Sequence, residues 1–484
     1  MWEILSAYWP HILGFASLAL TVVAASHAAM TKDEVRAAIG WVGVIVLSPI
    51  IGPLVYAVGG INRIRRASIV SQRRQTLAYP LAQAFEVSDA EVAGDVGRRF
   101  AALKTLGDKA TRRHLKTGNA IAVLRTGDEA YAAMIAAIAA AERSVILETY
   151  IFDRDPLGLR IADVLIAAHG RGVAVRVLID AVGARYSVPS IVGYLQKGGV
   201  PVDVFNGNII IGLRLPYANL RTHRKLLIAD GRVAFAGGMN IRRGFTTEFA
   251  GTAAAHDTHF RVEGPVVEDL FAVAAEDWRF ASGEELAGDA WAVTPQVATQ
   301  GPTVLMRAVA SGPDASLETN HKLLIGAFSV ARTSIRIMSP YFLPDRELIS
   351  ALVTAARRGV AVDIVVPDVN NLVLVDRAMG AQFDQVLKDG CRIWRATGSF
   401  DHSKLLAIDG SWAYVGSSNL DARSLRLNFE IDLEVLDESF ARGIEERIDA
   451  AIARSRPVTL KELRARPFPL RLLDRMLWLC SPYL

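Results

Sequence analysis

Hydropathy divides the chain before any single residue type is considered. Residues 12–29, within an expected helix of about 10–29, are almost wholly apolar, interrupted only by small polar side chains and His27. Residues 37–61 are apolar again, with Pro49, Pro53 and several glycines. Each stretch is close to the ~20 residues that cross a bilayer core as a helix, so residues 1–61 are expected to form a two-helix transmembrane hairpin. Residues 62–118 mix polar and apolar positions at helical spacing and predict a juxtamembrane helical linker with no legible chemistry. From residue 119 the pattern becomes regular. RSVILETYIF and VAVRVLID read as strands, the second apolar nearly throughout, with the helical LRIADVLIAAHGRG between them. Strands alternating with helices predict an α/β domain around a mostly parallel or mixed sheet.

The pattern then runs a second time. TSIRIMSPYFLPDRELISALVTAARRGVAVDIVVPD matches the first set element for element, with RGVAV in both. Residues 287–302, rich in small residues, Gln and Pro, read as the connection. A first lobe is therefore expected over 119–290, a second over 302–456 and an amphipathic tail over 457–484. Two similar lobes imply a pseudo-twofold arrangement with a shared site between them. The tail alternates Arg with Leu, Phe, Trp and Met; it reads equally as an interfacial helix or as a terminal helix packed on the domain.

Composition sharpens the membrane reading. Hydrophobic residues make up 51% of the 484, and the mean hydropathy of +0.26 is high for a purely soluble protein. The charge of +4, carried mostly by Arg, favours an anionic surface without choosing between phospholipid and nucleic acid. Arg63, Arg65, Arg66, Arg73 and Arg74 follow the second span, and positive flanks stay cytoplasmic. That orientation would put both lobes on the cytoplasmic side of the cell membrane. A cleaved signal peptide is the alternative for the first span, but its N-terminal MWEILSAYWP has neither Lys nor Arg. Cys391 and Cys480 are the only cysteines and lie far apart, which indicates neither a disulfide framework nor a zinc site.

The chemistry is concentrated in one repeated motif. Residues 223–240 read HRKLLIADGRVAFAGGMN and residues 402–419 read HSKLLAIDGSWAYVGSSN. Each holds a His, a Lys two residues on, an Asp five beyond that, and a downstream Asn. On an extended segment the His and Lys share a face, because side chains alternate with period two. Two facing lobes would then present His223, Lys225, His402 and Lys404 around one cavity, a set suited to phosphoryl transfer without a metal. One neutral imidazole attacks phosphorus while the other, protonated, donates to the leaving alkoxide. The lysines, with Asn240 and Asn419 as neutral donors, stabilise the charge on the non-bridging oxygens. Asp230 and Asp409 complete the motif, but each sits in a DG turn and reads mainly as its organiser.

With these residues the chain resembles the phospholipase D superfamily and, within it, the bacterial cardiolipin synthases. The narrower resemblance rests on the paired N-terminal spans and on YIFDRD, HDTHFRVEGP, SPYFLPD and GSSNLDARSLRLNFE, and it covers essentially the whole chain. It implies two phospholipase D-like α/β lobes and reversible joining of two phosphatidylglycerols through a phosphohistidine intermediate, with release of glycerol. It implies no cofactor and no metal, membrane phospholipids as partners and no nucleic acid, and leaves a homo-oligomer open. Within it His223 is the favoured nucleophile and His402 the favoured acid. Asp257 and Glu430, equivalent when HDTHFRVEG is laid over FEIDLEVLD, take the place of acids that orient the imidazoles. Thr222 stands where Asn is more usual and Asp401 where an apolar residue is frequent; both departures bear on the second substrate. A hydrolase releasing phosphatidic acid, or a phosphatidylserine synthase, would use the same residues. A catalytically dead membrane scaffold would gain nothing from two matched His-Lys sets. His256 and His259 face opposite ways on a strand and make a poor metal pair; His321 and Lys322 read as a helix-surface pair.

Overall fold

The computed structural model describes residues 2–32, 34–61, 83–206, 220–479 and 481. The arginine cluster of residues 63–74, Asp33 and Cys480 lie outside the described residues. The chain divides into two compact units, an N-terminal one and the remainder.

In the N-terminal unit one helix, Trp2–Thr31, is apolar and long enough to cross a membrane over residues 8–31. The second apolar stretch does not form the single helix expected over 37–61. It ends as Val35–Leu47, turns through residues 48–50, and resumes as Ile51–Val55 and the wide turn Tyr56–Gly60. Pro49 is the cause. It has no N–H for the helix and pushes the preceding residue out of helical geometry, and Ser48 accordingly sits at φ −134°, ψ 74°. Pro53 falls in the first turn of the new helix, where a missing N–H costs little. The fold-back needs Gly52, since a Cβ there would lie 2.4 Å from the Val44 carbonyl oxygen. Within this unit His27 Nδ1 lies 2.8 Å from the Tyr56 hydroxyl, beside the buried Ala28 and Ile45.

The larger unit is built on one long mixed sheet. The first repeat supplies β1 (Lys116–Leu124), β2 (Ser144–Thr149), β3 (Ala174–Asp180), β4 (Val202–Phe205), β5 (Arg221–Thr222), β6 (Leu226–Ala229), β7 (Val233–Gly237) and β8 (His259–Glu263). The second supplies β9 (Val304–Ser311), β10 (Ser334–Met338), β11 (Phe342–Leu343), β12 (Ala361–Pro367), β13 (Arg392–Ala396), β14 (Leu405–Ile408), β15 (Trp412–Gly416), β16 (Leu420–Asp421), β17 (Asn428–Leu436) and β18 (Ser455–Pro457). From the centre outward the first repeat runs β1-β8-β7-β6-β2-β3-β4 and the second β9-β17-β15-β14-β10-β12-β13. The order is the same in both. The halves join where β1 pairs antiparallel with β9, so the strand that opens each repeat is also the seam.

Each repeat packs its own apolar core, one around Val145, Leu147, Ile161 and Phe235, the other around Ile335, Ile364, Leu348 and Trp412. The segment expected as a juxtamembrane helical linker is helical over Asp89–Asp95 and Arg98–Thr111, and it packs on the second repeat. Phe100 and Leu103 are buried against Leu323 and Phe328 of the second repeat, and Arg99 pairs with Asp409. Apolar residues on one face of a helix must find a partner surface, and here the nearest in sequence is not the one used.

Candidate functional site

Neither His-x-Lys sequence is itself in a regular strand. Each is a short link into a core strand, the first preceded by a two-residue pairing and the second by a single-residue bridge, and each is clamped by the opposite repeat. Arg221 and Thr222 pair with β17, and the His223 N–H donates to the Phe429 carbonyl at 2.8 Å. Symmetrically placed, His256 and Asp401 pair, and the His402 N–H donates to the His256 carbonyl at 2.8 Å. The residue after each accepting carbonyl is a carboxylate. His223 Nδ1 therefore lies 3.0 Å from Glu430 Oε2, and His402 Nδ1 lies 2.8 Å from Asp257 Oδ2. Each imidazole is held by an acid from the other repeat, which leaves Nε2 of both rings for chemistry.

The lysines complete a tetrad in which Lys225, His402 and Lys404 are buried and His223 is partly exposed. Lys225 Nζ donates to the His223 carbonyl at 2.6 Å and sits 5.5 Å from the centre of the Tyr150 ring. Lys404 Nζ donates to the His402 carbonyl and lies 2.9 Å from His402 Nδ1. Burial, reinforced by the neighbouring lysines, holds both imidazoles neutral: His223 falls well below its usual range and His402 to about 4. Burial also pushes Lys225 down to about 7 and Lys404 to about 8. The two acids diverge. Burial would raise Asp257, but Lys404 and His402 outweigh it and hold the carboxyl below its ordinary value. For Glu430 burial wins over Lys225, and its proton affinity rises.

Asp230 and Asp409 do not reach this centre. Each occupies a left-handed position, φ 54° and 53°, followed by a glycine also at positive φ, which is the type I′ hairpin that an Asp-Gly pair favours. Their carboxylates accept N–H groups from the start of a neighbouring strand. Asp230 takes those of Glu142, Arg143 and Ser144; Asp409 takes those of Arg332, Thr333 and Ser334. Asn240 and Asn419 line the same cavity as the two histidines. Asn240 Oδ1 accepts the Ile151 N–H at 3.2 Å, which aims its amide, while Asn419 Oδ1 is buried without a partner among the described residues. The cavity, about 1140 Å³, is also lined by Tyr150, Tyr341, Phe245 and Phe400, which surround the imidazoles, and by Arg154, Arg242 and Arg423.

Sequence reading passed over Ser417. It stands where the first repeat has Gly238, and its hydroxyl donates to Glu430 Oε2 at 2.6 Å. A Cβ on Gly238 would instead lie 2.6 Å from Asp257 Oδ1, so the shorter acid needs the glycine. The legible signal was the GSSN against GGMN mismatch between otherwise matched motifs. Thr222 and Asp401 both turn away from the tetrad: Thr222 donates to Glu148, and Asp401 Oδ2 accepts from Arg447 at 3.2 Å. His321 is not the surface residue expected. It is largely buried, with Nε2 2.9 Å from Asp345, the cap of helix Arg346–Arg357. With Glu347 these form a group whose ligand atoms lie within 4.8 Å, though Asp345 is already engaged by the helix and by His321.

The model of the cardiolipin synthase PLD-like domain matches twice, over residues 134–254 and 324–452. A phospholipase D-nuclease N-terminal model matches residues 19–60. A cardiolipin synthase of Alkalihalophilus pseudofirmus is 31% identical over 453 residues, covering 92% of this chain and 88% of that one. Cardiolipin synthase A of Pseudomonas aeruginosa is 32% identical over 460 residues, covering 94% and 90%. Among solved structures, phosphatidylserine synthase of Haemophilus influenzae shares the fold, with a TM-score of 0.60 at 16% identity over 79% of this chain and all of that one.

Proposed function

The chain belongs to the cardiolipin synthase family of phospholipase D-like proteins, and from that premise we propose that it transfers a phosphatidyl group from one phosphatidylglycerol to another. His223 Nε2 attacks the phosphorus, the bond from phosphorus to the glycerol oxygen breaks, and His402 gives that oxygen its proton. The headgroup hydroxyl of a second phosphatidylglycerol then returns a proton to His402 and attacks the phosphohistidine. Cardiolipin leaves and His223 is free again. Glycerol is the only other product, and the same steps run in reverse.

The single observation that carries this reading is the crossed pairing of two imidazoles with buried acids from opposite repeats, facing one cavity. The division of labour follows the acids. Asp257 stays ionised and supports an imidazolium at His402, the acid; Glu430, with its raised proton affinity, supports one less well at His223, the nucleophile. A phosphodiester anion entering the cavity raises the proton affinity of all four basic groups, so His402 gains its proton with the substrate. Lys225, Lys404, Asn240 and Asn419 then hold the non-bridging oxygens, each such donor contributing about 3–4 kcal/mol to the barrier difference. Asp230 and Asp409 act from outside, as fixed points of the two hairpins.

The repeated strand order and the antiparallel β1–β9 seam support a pseudo-twofold relation between the lobes. The apolar helix Trp2–Thr31, with the shorter apolar helices behind it, supports a membrane hairpin. The arginines after it favour a cytoplasmic active site. The test is a mixed-micelle assay with labelled phosphatidylglycerol in the presence of EDTA, with products resolved by mass. Cardiolipin and glycerol in equal amounts are expected. Phosphatidic acid as sole product would make the chain a hydrolase instead.

A further inference from the structure

The last described helix, Phe468–Leu479, lies along helix Val373–Leu387. Arg377 meets Asp474 at 3.4 Å, and Arg464, just before the tail helix, meets Asp384 at 3.1 Å, so the two run antiparallel. This brings the end of the tail to the first turn of Val373–Leu387, and Ser481, Leu372 and Val375 line the same cavity as the two histidines. The inward face of the tail is fixed. Asp474 is 2% exposed between Arg377 and Arg466, and Leu477 and Trp478 join the core of the second repeat.

The outward face is apolar. Phe468, Leu472, Met476 and Leu479 recur at i, i+4, i+8 and i+11, which is one stripe of a helix, and are 71%, 48%, 57% and 71% exposed. Leu372, Val373 and Leu374, at the cavity rim, are exposed as well. Beside the stripe, one turn apart, stand the exposed Arg471 and Arg475, the latter 5.7 Å over the Trp478 ring. An apolar stripe edged by arginines is the pattern of a helix that lies in the plane of a membrane interface. The arginines also decide between occupants. In a symmetric contact with a second copy they would face one another, whereas an anionic leaflet neutralises them.

We propose that this face docks on an anionic phospholipid leaflet, seating the tail helix and the rim residues among the headgroups at the mouth of the catalytic cavity. A lipid then enters the cavity from the leaflet, with its acyl chains left in or near the bilayer. The proposal rests on the phosphatidyltransferase reading and names how that site meets its substrate.

The test uses the full chain with Met476→Cys and Cys480→Ser, labelled at residue 476 with an environment-sensitive fluorophore and reconstituted into vesicles of phosphatidylglycerol and phosphatidylcholine; the remaining Cys391 is buried. Brominated phospholipids are expected to quench the label by about twofold or more, with aqueous iodide having little effect. Quenching by iodide alone would overturn the proposal, and so would protection from both quenchers, the sign of a protein–protein contact. Leu472→Ser with Met476→Ser should raise the apparent KM for long-chain phosphatidylglycerol in vesicles about tenfold. Turnover of a water-soluble dihexanoyl phosphatidylglycerol should be unchanged, and loss of both in a folded protein would also overturn it. Quenching requires no turnover, so it decides the docking question even if the transferase reading fails.

Discussion

Asp257 and Glu430 differ by one methylene, and the difference reaches both imidazoles. The shorter acid fits against Gly238 and keeps its charge under Lys404; the longer one needs the Ser417 hydroxyl and binds a proton more readily. Asp257→Asn should therefore lower kcat by roughly 10²–10⁴-fold with little change in KM, as expected when a carboxylate that orients a catalytic imidazole is neutralised. Glu430→Gln should cost less, and steady-state kinetics on the two variants would reveal a reversed order. The lysines set the pH dependence. Their ammonium forms are the useful ones, and burial brings them down to about 7 and 8, so kcat/KM should fall as pH rises through that range. The four basic groups titrate together, so the alkaline limb belongs to the cluster and not to one residue. A profile flat to pH 10 would remove the lysines from the mechanism. At this scale the sequence was most informative, since His223, Lys225, His402 and Lys404 stand out by matched spacing alone. Ser417 did not, because a serine in a turn is unremarkable until its acid partner, 13 residues on, is known to be buried.

Among the elements, the two Asp-Gly hairpins carry the register of the site. Each aspartate ties the β6–β7 or β14–β15 turn to the strand beside it, β2 or β10, and so fixes where the His-x-Lys link leaves the sheet. Asp409→Ala would strip three N–H groups of their acceptor, break the pair with Arg99 and place an alanine at positive φ. A loss of about 2–4 kcal/mol is expected, read as a lowered thermal midpoint. Asp409→Asn, which keeps an acceptor and tolerates the left-handed region, should lose about 1 kcal/mol. Equal destabilisation by both would mean the charge, not the hydrogen bonding, holds the turn. These hairpins were legible in the DG dipeptides. The break at Pro49 was less so, because apolar content over 37–61 reads the same whether the helix is continuous or folded back on Gly52. The docking of Arg98–Thr111 on the second repeat was not legible at all. Its apolar face shows in the sequence, but the choice of surface depends on contacts more than 200 residues away.

Across the whole molecule, duplication brings two copies of one weak motif to a single cavity. A lone repeat would present an imidazole whose Nδ1 has no acid, because Asp257 serves His402 and Glu430 serves His223. That the two halves share one strand order could be anticipated from the matching sequences; the crossed pairing could not, since alignment places Asp257 and Glu430 in equivalent positions without saying which histidine each meets. The central claim is that His223 carries the phosphatidyl group while His402 handles the proton. The most direct measurement is rapid quenching of a reaction with labelled phosphatidylglycerol, followed by mass spectrometric mapping of the protein adduct in the wild type, His223→Ala and His402→Ala. A phosphatidyl adduct on His223 in the wild type, absent from His223→Ala, with turnover abolished in both variants, is the predicted result. An adduct mapped to His402, or near-wild-type turnover by either variant, would contradict it.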